Sequence, residues 1–479
     1  MERGDIPYFI YQINSKDIMR KDGKIVKDFF EKEPYDIVTK KLNDLNIYDM
    51  VEQCELIQMS TGMITKKNYE LYMNHTYKVK KNSFEKMKNI EILIQKYTKK
   101  ILEHAVWNEE RSEVNWIIAQ VGSSMYTNLK IKPMGYYLYD GLSGMLLLLE
   151  VLRKNYEVKG VESIVDTLQK MLFCYTENGI NNLKILQSQN TGAYDGESSI
   201  VYTYLTLYEI TANILYLKYA EIHIKIVKRL LDMDKKYDLV NGNAGAIMVL
   251  MKMYRLTKEK SYLENAKYAV NLLENSAVKM KKGIGWITGR EKRPMAGMAH
   301  GNAGILMAIM EVWEVTKSEH LMRLTWEIWK YENSLYTKNT NNWKDIRGEE
   351  ESDKEIGSVA WCHGAAGVLI SRLAMVNKLD KEEIKGVLNR DIERAYKKLK
   401  DYWRRDSCSL CHGSLGNLLI LEEYEKHCLD KSSETDEIFD IQVPIWEKIN
   451  PGLMSGYGGI LYYLLRKQGK IEKNLLVLE

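Results

Sequence analysis

The sequence lacks any apolar run long enough to cross a bilayer. Its most apolar stretches, such as Met145 to Leu149, meet a charge within a few residues, here Glu150, whereas a span needs about 20 residues. No secretory signal is visible, because the opening residues MERGDIPYFIYQ include acids and have no apolar centre. A cytoplasmic location is therefore expected, with membrane association only through partners. Cysteine is also scarce. Six in 479 residues do not read as a disulfide framework in a large chain of that compartment. Nor does charge of one sign dominate, since 69 Lys and Arg against 65 acids leave only +4, which gives no reason to expect nucleic acid as a partner.

What the sequence does have is a core and a repeat. Hydrophobic residues make up 45%, ample for a large buried interior. From about residue 135 a short pattern recurs: a polar or turn-forming residue, glycine, two variable residues, often a second glycine, then an apolar run. It reads DGLSGMLLLLEVL from Asp140, DGESSIVYTYLTLYEI from Asp195, NGNAGAIMVLMKMY from Asn241 and HGNAGILMAIMEVW from His300. Further copies are HGAAGVLISRLAM from His363, HGSLGNLLILEEY from His412 and SGYGGILYYLL from Ser455. The second copy lacks the second glycine.

The loop glycines are Gly141, Gly196, Gly242, Gly301, Gly364, Gly413 and Gly456, spaced by 43 to 63 residues, which is room for a helical hairpin each. Apolar steps of three and four residues, as in Ile305, Ala308, Ile309 and Val312, predict helices. Second helices are expected between them, for example Thr211 to Leu230 and Tyr262 to Asn275, with the outer helix of the first pair before Asp140. Seven hairpins whose loops converge on one face can close into a ring, so the fold expected is all-α, a seven-repeat α/α toroid of two helical rings. The seventh copy is as apolar as the middle ones, which fits closure.

Residues 1–75 do not share the pattern. They hold GDIPYF, a charged turn around Lys21 to Lys24, a helix expected from Pro34 to Leu45 and another from Ile47 or Asp49 to Met59. These are too short to bury a core of their own. The expected division is 1–75 and 76–479. Lys78 to Lys100 reads as a wetted amphipathic helix.

Chemistry concentrates in copies four to six. WCHGAAG and LCHGSLG put Cys362 and Cys411 two residues before their loop glycines, with His363 and His412 one residue before. His300 holds that last position in copy four. Zinc favours thiolate and imidazole in tetrahedral geometry, and a catalytic site offers three protein ligands with the fourth position open. Cys362 and Cys411 with one histidine make such a set. His363 and His412 are equivalent by position, and Cys408, three residues before Cys411, is the competing fourth ligand of a closed structural site. The glycines serve the hairpin turns and are no sign of phosphate binding, since the loops lack the Lys and Ser/Thr ending. His300 titrates near neutrality and is the candidate for proton transfer. Asp238, four residues before Gly242, either orients His300, moves a proton itself, or caps a helix. Asp140 and Asp195 read as turn or cap residues.

AHGNAG around His300, WCHGAAG from Trp361, SLCHGSLGN from Ser409 and SGYGGILYYLLR from Ser455 together resemble the lanthionine synthetase C-like cyclases. The spelling WCHG and the N-terminal GDIPYF region look like the bifunctional class II lanthipeptide synthetases, whose cyclase follows a dehydratase. The resemblance covers roughly residues 80–479 as cyclase, while residues 1–75 resemble the closing part of the dehydratase. It implies one zinc held by Cys362, Cys411 and His412, with His300 and Asp238 as the acid/base pair. The implied reaction adds a peptide cysteine to dehydroalanine or dehydrobutyrine, forming a thioether ring.

The implied partners are a dehydrated precursor peptide, a separate dehydratase chain and a peptide exporter. The chain begins at the last fragment of the dehydratase, so dehydration by this chain is not expected. Two other readings compete. A non-catalytic zinc protein binding a peptide or glutathione would keep the ligands without needing His300. A toroidal glycosidase would need paired carboxylates, and gives no reason for two cysteines on the loops.

Overall fold

The computed structural model describes residues 9–20, 22–45, 50, 53–54, 57, 88–120, 130–288, 292–347, 357–379, 382–405, 407–428 and 450–479. The chain divides into two units, residues 1–77 with 120–131 and residues 78–119 with 132–479. In the small unit β1 (Phe9–Tyr11), β2 (Ile18–Arg20) and β3 (Ile25–Val26) form an antiparallel sheet in which Phe9 pairs with Arg20 and Ile18 with Val26. None of these strands is expected from the sequence. The charged turn joins β2 to β3, where Gly23 takes φ +78°. Helix α1 (Pro34–Asp44) follows as expected, with proline in its first turn, where no N–H is needed. The helix expected from 47 to 59 lies largely outside the described residues.

The large unit is mostly helical, and its strands are short pairs rather than a closed sheet. After α2 (Lys88–Glu103) come α3 (Leu142–Asn155), α4 (Val161–Asn181), α5 (Glu197–Thr211), α6 (Ile214–Leu230), α7 (Asn243–Thr257) and α8 (Lys260–Ser276). They are followed by α9 (Asn302–Thr316), α10 (Glu319–Ser334), α11 (Ala365–Val376), α12 (Glu382–Tyr402), α13 (Ser414–His427) and α14 (Tyr457–Lys467). Among the described residues no helix is long and apolar enough to cross a membrane.

The odd-numbered helices from α3 to α13, with α14, each begin directly after a loop glycine. They are buried nearly all round: in α9 every residue from Asn302 to Trp313 is buried. The intervening helices bury one stripe, as α4 does with Ile164, Val165, Leu168, Leu172 and Tyr175. That contrast separates an inner set from an outer set. Each fully buried aliphatic side chain contributes about 1.5–3 kcal/mol, so the inner set dominates the stability.

Inner helices pack in sequence, α3 on α5, α5 on α7, α7 on α9, α9 on α11, α11 on α13 and α13 on α14, and α14 packs back on α3. The circuit is closed. One pairing departs from chain order. The helix before Asp140, α2, packs on α14, with Tyr97 stacked on Tyr457 and His104 Nδ1 3.1 Å from the Tyr457 hydroxyl. A ring lets the first outer helix serve the last inner one.

The loops ahead of the inner helices repeat a backbone design. No side chain caps these helices. Instead the first N–H donates to a carbonyl of the same loop, as Leu142 does to Gly135, Glu197 to Asn190, Asn302 to Met295 and Tyr457 to Asn450, so orphan donors are met locally.

The residues two before each glycine form a circular chain of hydrogen bonds. Tyr139 N–H donates to Tyr194 O (2.9 Å), Tyr194 to Val240 (3.3 Å), Val240 to Ala299 (3.3 Å) and Ala299 to Cys362 (3.3 Å). Cys362 donates to Cys411 (3.2 Å), Cys411 to Met454 (3.0 Å), and Met454 back to Tyr139 (2.7 Å). At the seam Asp140, expected only to cap a turn, accepts from the N–H groups of Met454 (3.1 Å) and Ser455 (3.0 Å) and from the Ser455 hydroxyl.

The fifth loop differs. Gly364 takes φ +82° and bridges to Val359, and a Cβ there would lie 1.8 Å from Ser358 O. Gly160 also has positive φ, +95°, but open space around it. Gly364→Ala is expected to lose more stability in urea unfolding than the roughly 1–3 kcal/mol of backbone strain, and Gly160→Ala to stay within it. Equal losses would show that the contact with Ser358 is unimportant.

Candidate functional site

The circular backbone chain fixes which loops are neighbours, and so which side chains meet. Cys362 and Cys411 occupy consecutive positions in it. Both are buried, and their side chains are near enough to act on one another electrostatically. That proximity lowers the Cys362 thiol against the effect of burial, helped by the charges of Arg347 and His300. Cys411 is pushed well above the ordinary range by the neighbouring Cys362 and by burial. The Tyr139 hydroxyl lies in the same neighbourhood and is raised, chiefly by burial and by the charge of Cys411.

Asp238 and His300 come from loops three and four. His300 Nδ1 lies 3.2 Å from Asp238 Oδ2, with the carboxylate buried and the ring about one-third exposed. Asp238 Oδ1 accepts from the Asn241 N–H at 2.6 Å, which fixes the carboxylate. An ionised carboxylate only accepts, so Nδ1 carries the proton and Nε2 is left for chemistry. Burial opposes the imidazolium, but the Asp238 charge and hydrogen bond outweigh it and raise His300 above its usual 6.5.

The two histidines beside the cysteines differ. His363 is buried, its ring 6.1 Å from the His300 ring. Burial and the neighbouring charges of Arg347 and His300 push its imidazole down to about 3. His412 is exposed, and its N–H lies 3.4 Å from the Ser409 hydroxyl. Cys408 is half-buried. Among the described residues no three His, Cys, Asp or Glu side chains are gathered closely enough to hold a metal ion. The donor chemistry nonetheless fits a thiophilic cation: two buried thiols stand on adjacent loops, and an imidazole follows each by one residue.

Three contributors escaped the sequence reading. Tyr139 sits two residues before Gly141, the same offset as each cysteine from its own glycine, so aligning the seven copies would have found it. Arg347 and Asp345 lie in the approach to loop five and form a two-pronged pair, Nε to Oδ1 at 2.9 Å and Nη2 to Oδ2 at 2.6 Å. No repeat position marks them.

Comparison with known proteins bears on this arrangement. The family described as lanthionine synthetase C-like protein matches residues 132–477. The Lacticin 481/lactococcin biosynthesis protein LcnDR2 of Lactococcus lactis subsp. lactis is 27% identical over 99% of this chain and 50% of its own length. The chain thus spans about half the length of that curated relative. Among solved structures, nisin cyclase is 17% identical, with a TM-score of 0.53 over 82% of this chain and 96% of its own. An unsaturated glucuronyl hydrolase variant from Streptococcus agalactiae is 14% identical, with a TM-score of 0.43 over 83% of this chain and 95% of its own.

Proposed function

The chain belongs to the lanthionine synthetase C-like family, and from that premise we propose that it is a zinc-dependent lanthipeptide cyclase built as a seven-repeat double ring of helices, residues 76–479. Its substrate is a dehydrated precursor peptide, in which a cysteine adds to dehydroalanine or dehydrobutyrine to make a thioether ring. The observation that carries the reading is the pairing of buried Cys362 and Cys411 on adjacent loops, joined by a backbone hydrogen bond of 3.2 Å, one loop away from a His300–Asp238 pair. Similarity to nisin cyclase and to a lacticin biosynthesis protein supports it at the level of the family.

Cys362, Cys411 and His412 are the zinc ligands in this reading. His363 is the weaker third ligand because it is buried against His300 and influenced by Asp345 and Arg347, whereas His412 adjoins Cys411 on the exposed side of its loop. A zinc ion there would stabilise the deprotonated form of a substrate thiol, whose free pKa is about 8.5.

The chain's own residues do the rest. Addition of sulfur to the β-carbon leaves an enolate whose α-carbon must take a proton. His300 Nε2 delivers it, and Asp238 holds the ring through Nδ1 and keeps it charged. Residues 1–75 are read as the end of a dehydratase, and the partners as a dehydratase activity and a peptide exporter.

The direct test mixes the purified protein with a dehydrated, cysteine-containing peptide and follows free thiol by alkylation. The expected result is loss of alkylatable cysteine with no change in peptide mass. Unchanged thiol after prolonged incubation with zinc-loaded protein, under conditions where the peptide stays dehydrated, would sink the cyclase reading.

A further inference from the structure

Beyond the loops, the strongest unassigned feature lies beneath them. Tyr194 and Trp361 belong to loops two and five, which are not neighbours in the circuit, yet their rings meet edge to face at 5.0 Å. The pair spans the lumen of the ring, and both side chains are fully buried. Each turns its polar atom to the same strip of backbone: the Tyr194 hydroxyl donates to Leu475 O at 2.7 Å and the Trp361 indole N–H to Leu476 O at 3.0 Å.

That strip is itself tightly held. Leu475, Leu476 and Leu478 are buried, the Leu475 N–H donates to the Tyr462 hydroxyl at 2.9 Å, and Asn474 Oδ1 accepts from the Leu476 N–H at 2.9 Å. Both of its flanks, Lys473 and Val477 to Glu479, line a cavity of about 450 Å³ with Lys252, Arg255 and Lys378, at the opposite ends of the inner helices from the cysteine loops. The segment is therefore a turn that enters the ring from that end and returns to it.

We propose that Trp361 is a positioning residue for the adjacent Cys362 thiol, and that segment 474–478 sets its height by accepting the indole hydrogen bond. The proposal rests on the reading of Cys362 and Cys411 as the reactive pair. Trp361 cannot shift without either leaving Tyr194 or stranding a buried N–H, and both costs pass to the next residue in the chain. Tyr194 and Trp361 fill the space beneath Cys362, so a peptide reaches the thiol from the loop side.

The test uses the full-length protein, with Cys54, Cys174, Cys408 and Cys428 replaced by serine so that only the two loop thiols react with Ellman's reagent. Trp361→Phe keeps a ring against Tyr194 but removes the donor, and Asn474→Ala loosens the turn that presents Leu476 O. Each is expected to speed thiol modification, measured with and without chelator, by roughly fivefold to tenfold, the scale of one lost buried hydrogen bond. Asn474→Ser, which keeps a side-chain acceptor at the turn, is expected to stay near the wild-type rate.

The double variant should react no faster than either single one, because both break one linkage. Cyclisation should lose kcat with KM unchanged. Wild-type thiol rates in both single variants, with unchanged circular dichroism, would overturn the proposal, and if one variant fails to fold the other decides. Thiol rates need neither zinc nor peptide, so a failure of the cyclase reading would be visible separately, as absent zinc or absent ring formation.

Discussion

Cys411→Ala is expected to leave the protein unable to hold zinc through dialysis and unable to close thioether rings. It is buried, and its neighbour in the circular backbone chain is the other buried thiol at the same loop offset, Cys362. Removing one of three ligands should weaken retention by more than the roughly 10–100-fold that loss of a supporting residue costs. Metal analysis of the dialysed variant beside wild type and a Cys174→Ala control, an exposed thiol, reads the effect. His412→Ala should behave like Cys411→Ala, and His363→Ala should keep its zinc. Full zinc content in Cys411→Ala would remove the ligand assignment.

The second large effect is expected at His300. Loss of a general acid typically costs about 10²–10⁴-fold in rate, so His300→Ala should retain zinc and fall by that order in kcat. The pH profile adds a sign. As a proton donor His300 works in its charged form, and Asp238 raises it above 6.5. Wild-type kcat/KM should then hold through pH 6.5 and fall as pH rises through the shifted value. In Asp238→Asn the raising influence is gone, and the falling limb should move to lower pH.

Stability follows the same direction. The favourable His300–Asp238 pairing is fully present below the unfolded value near 6.5 and is lost as pH rises through the folded one. A limb that stays in place in Asp238→Asn would assign it to another group.

Much of this was legible in the sequence because one structural rule repeats. A glycine that starts each inner helix puts every loop in a common frame, so Cys362 and Cys411 at equal offsets, and Asp238 and His300 on consecutive loops, could be paired without coordinates. What the frame does not encode is angular position round a ring. Nothing local says that loops two and five face one another, so the Tyr194–Trp361 contact was invisible, as was the segment that runs beneath it. The return of α2 to α14 was missed for the same reason.

Side chains outside the repeat were also silent. Arg347 and Asp345 carry no offset, and His223, which belongs to no loop motif, lies 2.9 Å from Glu197 in a fully buried network with Thr176. Position alone leaves His363 and His412 equivalent, and the resemblance implies His412; the fold adds that His363 is buried and His412 exposed.

The hydrogen bond from Met454 to Tyr139 closes a loop of chain more than three hundred residues long, and Cys362 and Cys411 sit as adjacent stones in the same arch. An arch has no partial strength: until the last stone is seated, the spacing of every other pair is free to drift. The distance between the two sulfurs is therefore a property of the completed circumference. Refolding should restore helicity early and the close approach of the thiols last, since such distant closure is slow.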